Sequence, residues 1–270
     1  MFPILFRHGN FILASWHVFF VIGAFAGWYG MQKLRSAVLP AYSAGQIDRL
    51  FVVLYISGYF GARIFSIFFE DGIHSISEFF AGLLTFGSMT LYGGIIAVAL
   101  VLSFYTFHKH LSLTRLGALF TGPGLVAVGL GRIGCFLNGD DYGAPVHDQL
   151  HPQYWAVRFP SLEDSIYRYP VQLWESCFCI ALGCLLVFAT QHWSRQKLFF
   201  ADCGVVGYTV ARFFLEYFRG DERGEFLGTG FSTSQGVSLV LLVIWVGFRL
   251  YESFGKRSGD SGQASSELAP

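Results

Sequence analysis

The sequence predicts an all-α integral membrane protein of seven transmembrane helices, with a small extracytoplasmic cap formed mainly by the loop before span five. Three observations predict this fold class. Of the 270 residues, 53% are hydrophobic and only 13% are charged, whereas a soluble domain carries roughly 25% charged residues. Seven apolar stretches approach the ~20 residues that cross a bilayer as a helix. Basic residues are concentrated in alternate loops between these stretches, as in multi-pass membrane proteins.

Each apolar stretch is interpreted as one span. The first is longer than the apolar region of a secretory signal peptide and has no cleavage site of small residues after it, so we expect it to be retained. The predicted spans are residues 11–32, 50–69, 89–107, 116–137, 171–189, 199–218 and 234–251.

The distribution of basic residues orients the spans. The loops after spans one, three and five, the end of span seven and the C-terminal tail hold ten of the 18 Lys and Arg residues, including all four lysines. Because cytoplasmic segments are enriched in Lys and Arg, we expect the N-terminus outside and the C-terminus in the cytoplasm. Residues 1–255 are expected to form one membrane domain, with the cap loop at about 138–170. Residues 256–270 are polar and rich in Ser and Gly, which predicts a disordered cytoplasmic tail.

Two classes of function are excluded by charge and spacing. A net charge of zero, from 18 basic and 18 acidic residues, lacks the basic excess that nucleic-acid binding requires. His147 and His151 flank Asp148, but no third ligand stands at a metal-site spacing, so a solvated loop is expected there. The five cysteines lie in or beside apolar runs without metal-site spacing. We expect no metal, no cofactor and no nucleic-acid partner.

Several ionisable side chains lie within the predicted spans, and five of them form one group. A charge at mid-bilayer costs at least about 2.5 kcal/mol, so each should face a protein interior or a wet cavity. With the predicted orientation all five fall in the outer half of the membrane, together with Tyr92, Trp16 and His17. The five are Arg63, Arg132, Glu175, Arg212 and Glu216.

These charges predict a site for a phosphate group. Three arginines against two carboxylates leave a local charge of +1, and the planar fork of Arg suits phosphate oxygens. Phospholipid is the most abundant phosphate-bearing molecule at that depth. Transport, scaffolding and chemistry all remain open from the charges alone. So does mutual neutralisation of Arg212 and Glu216, which share a helical face with Tyr208.

A resemblance to a known family narrows these alternatives. Residues 131–143, GRIGCFLNGDDYG, resemble the signature of the prolipoprotein diacylglyceryl transferases, bacterial enzymes that lipidate lipoprotein precursors. Further segments resemble family blocks in the family's order, and the seven spans and outward N-terminus of that family agree with the pattern above. These segments are GAR at 61–63, YGG at 92–94, YPVQLWE at 169–175, GY at 207–208 with Arg212 and Glu216, and STSQG at 232–236.

The resemblance implies an enzyme of the bacterial cytoplasmic (inner) membrane. Its reaction moves the diacylglyceryl group of phosphatidylglycerol to the thiol of the lipobox cysteine of a prolipoprotein and releases glycerol phosphate, the first step of lipoprotein maturation. The implied partners are phosphatidylglycerol, prolipoprotein lipobox peptides and membrane lipid. The reaction needs a thiolate nucleophile, electrostatic stabilisation of the leaving phosphate and alignment of the two substrates.

The roles that the resemblance implies fall into two groups. The implied catalytic residues are Tyr92, Arg212 and Tyr208, with Arg212 suited to the departing glycerol phosphate. Glu175 and Gln172 would brace the arginines, and for Asn138 a structural role at the start of the loop is an open alternative. The residues implied to bind phosphatidylglycerol are Arg132, Arg63, Glu175, Gln172, Glu216, Asn138 and Gly143.

Three positions depart from the family pattern. Tyr92 stands where many members have the histidine proposed as the base, and a phenol with a pKa of about 10 is a poor base at neutral pH. His17 follows Ser15 and Trp16 where the family has Trp-Tyr-Gly or Ser-Tyr-Gly; it is either an alternative base or a packing residue. Cys135 replaces a common asparagine.

Two functions therefore remain open from the sequence. The first is an active transferase with altered base chemistry, which the retained arginines favour. The second is a non-catalytic or repurposed paralogue that binds phospholipid or lipoprotein, which the missing histidine favours.

Overall fold

The computed structural model describes residues 2–8, 11–69, 75–84, 91–109, 113–221, 230–232, 234–247 and 249–250. The predicted tail at 256–270 lies outside these residues. The chain forms two compact units, each described by itself below. Unit 1 comprises Met1–Phe20, Val128–Ile180 and Asp202–Pro270, and unit 2 comprises Val21–Ala127 and Ala181–Ala201.

The described residues are mainly helical. A helix lies at each of the seven predicted spans, and one further helix, α3, falls in a segment where the sequence predicts none. With nine residues, α3 is too short to meet the bilayer-length criterion. The helices are α1 (Ser15–Val38), α2 (Ala44–Phe69), α3 (Ile76–Leu84), α4 (Leu91–Lys109), α5 (Leu113–Asn138), α6 (Val171–His192), α7 (Lys197–Leu215) and α8 (Ser234–Gly247).

The composition of these helices is that of a membrane protein. Within the described residues, four helices are long and apolar enough to cross a membrane, namely α2, α5, α6 and α7, and α4 and α8 contribute shorter apolar helices. Large apolar side chains on α4 lie in the open, since Leu100, Phe104 and Phe107 are 66%, 63% and 80% exposed. Exposed apolar surface of this kind is suited to lipid rather than to water.

The N-terminus corrects the predicted start of span one. Residues 11–14, assigned to that span, form the strand β2 (Phe11–Ala14), which pairs antiparallel with β1 (Ile4–His8). Helix α1 begins at Ser15, whose backbone N–H donates to Pro3 O at 3.0 Å. A four-residue apolar run cannot be assigned to helix or strand by periodicity alone, which is why this hairpin was not predicted.

In unit 2, α2 and α4 approach closely at two glycines. A Cβ atom on Gly61 would collide with the backbone of Gly93 and the side chain of Ala97, and one on Gly93 would collide with Gly61 and Phe65. Glycine is therefore required at both positions, as in small-residue contacts between membrane helices.

In unit 1, the long loop before α6 is folded. The backbones of Val157 and Arg168 exchange two hydrogen bonds, of 3.1 and 2.8 Å. Phe159 is fully buried, and the ring of Trp155 stacks on Tyr169 with centroids 5.5 Å apart. The loop is thus an ordered substructure, and its position as an outward-facing cap stays a prediction.

Candidate active site

Unit 1 contains a closed ring in which arginines and carboxylates alternate. Each member lies within salt-bridge distance of the next, and the last returns to the first. The ring draws on α5, the loop after it, α6, α7 and the short 3₁₀ turn that extends α7. In order its members are Arg132, Glu175, Arg212, Glu216, Arg219 and Asp141.

Glu175 is the most buried member of the ring, with 1% of its side chain exposed. Its Oε2 lies 2.9 Å from Arg132 Nε, and its Oε1 lies 3.9 Å from Arg212 Nε. The Tyr208 hydroxyl donates to Oε1 at 3.2 Å. Burying an unpaired carboxylate is costly, so Glu175 is stable here because two guanidinium groups and a hydroxyl surround it.

Gln172 connects the first turn of α6 to the loop after α5. Gln172 and Glu175 are three residues apart and share a helical face. The Gln172 side chain is 1% exposed, and its Nε2 donates to the backbone carbonyl of Asp140 at 2.7 Å. This bond holds the loop that carries Asp141 against the helix that carries Glu175.

Arg212 and Glu216 form the second strong pair, with Nη1 and Oε2 2.8 Å apart. The start of α8 supplies a hydroxyl group to each: Ser234 Oγ accepts from Arg212 at 3.1 Å, and Ser232 Oγ donates to Glu216 at 2.7 Å. Ser232 and Gln235 also bond reciprocally to each other's backbone N–H, at 3.2 and 3.1 Å, which is a capping box. Ser232 and Gln235 therefore cap the start of α8, and Ser232 and Ser234 brace this ion pair.

Asp141 closes the ring by placing one carboxylate oxygen on Arg132 and the other on Arg219. Arg219 is 3% exposed and also binds Asp221, with Nη2 and Oδ2 2.9 Å apart. Burial works against the charge of Arg219, but the hydrogen bond with Asp221 and the charge of Asp141 outweigh it and raise its pKa. Arg219 is thus a permanently charged group inside the site.

Two glycines allow the backbone of Arg219 to reach the loop after α5. A Cβ atom on Gly143 would collide with Tyr169, and one on Gly220 would lie 2.6 Å from Gly143 O. The contact is held by Gly220 N–H donating to Tyr142 O at 3.1 Å. Gly143 therefore acts through backbone packing.

A comparison with protein families identifies the family of this chain. A family model described as prolipoprotein diacylglyceryl transferase matches residues 3–251.

The chain belongs to the prolipoprotein diacylglyceryl transferase family.

Similar proteins bear the name phosphatidylglycerol–prolipoprotein diacylglyceryl transferase. The relative from Rhodospirillum rubrum is 27% identical over 250 residues, which cover 89% of this chain and 88% of the relative. The one from Idiomarina loihiensis is 29% identical over 252 residues, 90% of each chain. The one from Dechloromonas aromatica is 29% identical over 255 residues, 91% of this chain and 92% of the relative. The family membership implied by the sequence motifs is confirmed.

The ring contains four of the site residues that the transferase resemblance implies, Arg132, Glu175, Arg212 and Glu216. Tyr208 and Gln172 contact it or its loop. Asn138, the last residue of α5, donates from its side-chain amide to the carboxylate of Asp140. This contact is the one expected of a structural residue where the loop leaves the helix.

The other predicted site residues have different surroundings. Arg63 belongs to unit 2, is 3% exposed, and donates from Nε to Gly82 O in the last turn of α3 at 2.9 Å, a favourable position for a cation. Tyr92 lies in the first turn of α4 in unit 2, and its side chain is outside the described part of the structure. His17, in unit 1, stacks on Trp16 with ring centroids 3.8 Å apart.

Three charged residues of the cluster were missed by the sequence analysis. Arg219, Asp141 and Asp221 lie outside the predicted spans, so they resemble ordinary loop charges. Within the described residues of unit 1, the ring and Asp221 together hold three arginines and four carboxylates, a formal charge of −1. The predicted local charge of +1 included Arg63, which lies in unit 2, so it stays a prediction. The spacing of Arg219, seven residues after Arg212, was the available signal.

We predict that Glu175→Gln destabilises the protein by about 3–5 kcal/mol, because the amide removes the charge that compensates two buried guanidinium groups. Thermal unfolding of the purified protein in detergent measures this. Asp148→Asn is the control, since this carboxylate is 48% exposed and 3.7 Å from His151, and exposed pairs contribute little. Equal stability of Glu175→Gln and wild type would show that the buried charge is not needed.

Proposed function

We propose that this chain transfers the diacylglyceryl group of phosphatidylglycerol to the lipobox cysteine of prolipoproteins and releases glycerol phosphate. The observation that carries the proposal is the arginine–carboxylate ring, because four of its members stand on sequence blocks that resemble those of the family. Family membership over residues 3–251 supplies the reaction class, and the names of the relatives supply the two substrates.

The reaction places its largest demand on the leaving group. The substrate thiolate attacks the glycerol carbon that bears the phosphate ester; the C–S bond forms as the C–O bond breaks, and the electron pair leaves with glycerol phosphate. Negative charge therefore grows on the phosphate oxygens, where guanidinium forks can bind it. Such contacts are stronger in a buried, low-dielectric site than in water.

We assign the arginines and their partners separate roles. Arg132 binds the phosphate of the lipid, and Arg212 stabilises the departing glycerol phosphate. Glu175 and Glu216 orient these guanidinium groups before substrate arrives, since preorganised charges cost no rearrangement during the reaction. Tyr208 holds the Glu175 carboxylate in place. Arg63 is proposed to assist lipid binding, in addition to its contact with α3.

Thiol deprotonation is assigned to Tyr92. This residue precedes the glycine pair at 93–94, the place where many family members have a histidine. In its phenolate form, which neighbouring positive charge would stabilise, Tyr92 can orient the attacking thiol and accept its proton. His17 is the alternative base, on the ground that it lies in the first turn of α1.

We further propose seven spans in the bacterial cytoplasmic membrane, with the N-terminus and the loop 138–170 outside. The basic residues of alternate loops support this orientation. Within unit 2, Lys197 at the start of α7 donates to Ala37 O near the end of α1 at 3.2 Å. This contact brings together two helix ends that the proposal assigns to the cytoplasmic face.

Membrane-impermeant amine labelling of intact cells is expected to leave Lys33, Lys109 and Lys197 unmodified. Permeabilised cells are the control, in which all three should react. Modification of Lys109 without permeabilisation would reverse the orientation and assign the proposed site to the wrong leaflet.

We predict that Arg132→Ala and Arg212→Ala each abolish lipid transfer while the protein remains inserted, because each removes a guanidinium from the phosphate site. The measurement is the mass of a lipoprotein in cells depleted of their own transferase. Arg249→Ala is the matched control, since Arg249 pairs with Asp202 at 2.9 Å and is not a ring member.

The double variant Arg212→Ala/Glu216→Gln separates phosphate binding from charge balance. It removes the charges of both members of the ion pair, so the charge balance is kept. If Arg212 binds phosphate, this variant should still be inactive. Recovery of transfer would mean that Arg212 serves to neutralise Glu216.

We predict that Tyr92→Phe lowers turnover about 100-fold, the typical loss for an acid–base group, with unchanged protein level, while Tyr92→His keeps or raises it. Full activity of Tyr92→Phe together with an inactive His17→Ala would move the base to α1. Transfer by Tyr92→His but not by wild type would identify a paralogue that kept the lipid site and lost the catalytic step.

A further inference from the structure

The ring together with Asp221 carries a charge that is unfavourable for the ligand that the ring is proposed to bind. With Asp221 included, the described residues of this cluster carry three guanidinium groups and four carboxylates, a formal charge of −1. A phospholipid phosphate is also negative. Because like charges repel in a partly buried site, phosphate binding is favoured when one carboxylate leaves its arginine partners.

Exposure singles out Asp141 as that carboxylate. Its side chain is 27% exposed, whereas those of Glu175 and Glu216 are 1% and 5% exposed. Asp221 is 20% exposed, and in the described part of the chain it contacts Arg219, through two guanidinium nitrogens at 3.0 and 2.9 Å, and does not bridge two ring arginines. Asp141 can therefore move into solvent at the lowest desolvation cost.

The position of Asp141 matches that of a phosphate. One of its oxygens pairs with Arg132 and the other with Arg219, so its carboxylate bridges two guanidinium forks. A phosphate diester also has two non-ester oxygens that can bind two such forks. Both ligands satisfy the same donors, and they cannot occupy the bridging position together.

The loop allows the exchange by rotation of one side chain. The backbone at Asp140 is anchored, since its N–H donates to Cys135 O at 3.1 Å and its carbonyl accepts from Gln172 at 2.7 Å. Asp141 has a φ of 58°, in the left-handed region that Asp and Asn tolerate better than most residues. Its carboxylate can leave the arginines while the loop backbone keeps its path.

We propose that Asp141 is an internal anion that occupies the phosphate position between Arg132 and Arg219 and is displaced when the lipid phosphate binds. The inference rests on the proposed function for the identity of the lipid. Asp141 keeps the two arginines paired in the empty site, and its return after the reaction competes with glycerol phosphate and promotes product release. It is thus a residue that sets affinity, in contrast to Glu175 and Glu216, which hold the arginines in place.

The test compares Asp141→Asn with wild type, both purified in detergent. Asparagine keeps the size of the side chain and tolerates the positive φ, but it no longer competes as an anion. We expect glycerol phosphate to bind about tenfold more tightly, which is about the low end of the net contribution of one hydrogen bond to a charged group. In the transfer assay the KM for phosphatidylglycerol should fall and inhibition by glycerol phosphate should strengthen.

Asp164→Asn is the matched control. Asp164 is also 27% exposed and is paired with an arginine of unit 1, with Arg168 Nη2 2.6 Å away, but it is not a ring member. Its substitution should leave glycerol phosphate binding unchanged. Asp141→Gly is the second variant, because glycine accepts the positive φ without strain; it serves if the asparagine variant unfolds, and the same tightening is expected.

The outcomes separate this inference from the proposed function. Equal or weaker glycerol phosphate binding by folded Asp141→Asn or Asp141→Gly overturns the inference and assigns Asp141 to bracing the arginines, even if wild type is an active transferase. Tighter binding by these variants supports the inference, even if wild type produces no lipidated lipoprotein and the proposed function fails. Absence of glycerol phosphate binding in wild type and both variants overturns the inference as well.

Discussion

The arrangement of unit 1 depends on the compensation of buried charge at Glu175. Its carboxylate is 1% exposed and lies between Arg132 and Arg212. Each of the three would be costly to bury alone, so the helices that carry them are stable together only when these side chains meet. The hydroxyl of Tyr208 and two serines at the start of α8 meet the same requirement. They add hydrogen bonds to Glu175, Arg212 and Glu216.

The spans could be predicted from the sequence because a helix surrounded by lipid must consist mainly of apolar residues. A segment surrounded by apolar solvent needs about 20 apolar residues, and a helix lies at each such segment. Elements below that length lack this signal. The hairpin β1–β2 and the nine-residue α3 were missed for this reason. Strand pairing also depends on a partner that local composition does not identify, so Phe11–Ala14 was assigned to the first span.

The site could be predicted in part, for a related reason. Arg132, Glu175, Arg212 and Glu216 stand out because they are charges inside apolar runs, where a charge has a high cost. Asp141 and Arg219 are surrounded in sequence by other polar residues and carry no such signal. They join the ring because Gly143 and Gly220 let two distant segments come into contact, which is a property of the folded backbone. The sequence therefore predicted the part of the ring that lies within the predicted spans and missed the part that closes it.

Because loop residues close the ring, the site can be stable without ligand and still accept an anion. A cluster of arginines alone would bind phosphate strongly, but it would be costly to insert and fold in the absence of ligand. A fully buried neutral ring would be stable and unable to accept an anion. Here the pairs Arg132–Glu175 and Arg212–Glu216 are held by contacts of 2.9 and 2.8 Å. The more exposed pairing depends on the loop carboxylate of Asp141. The same alternation of charge can thus stabilise the empty site and, by the movement of one side chain, make two guanidinium groups available to a phosphate.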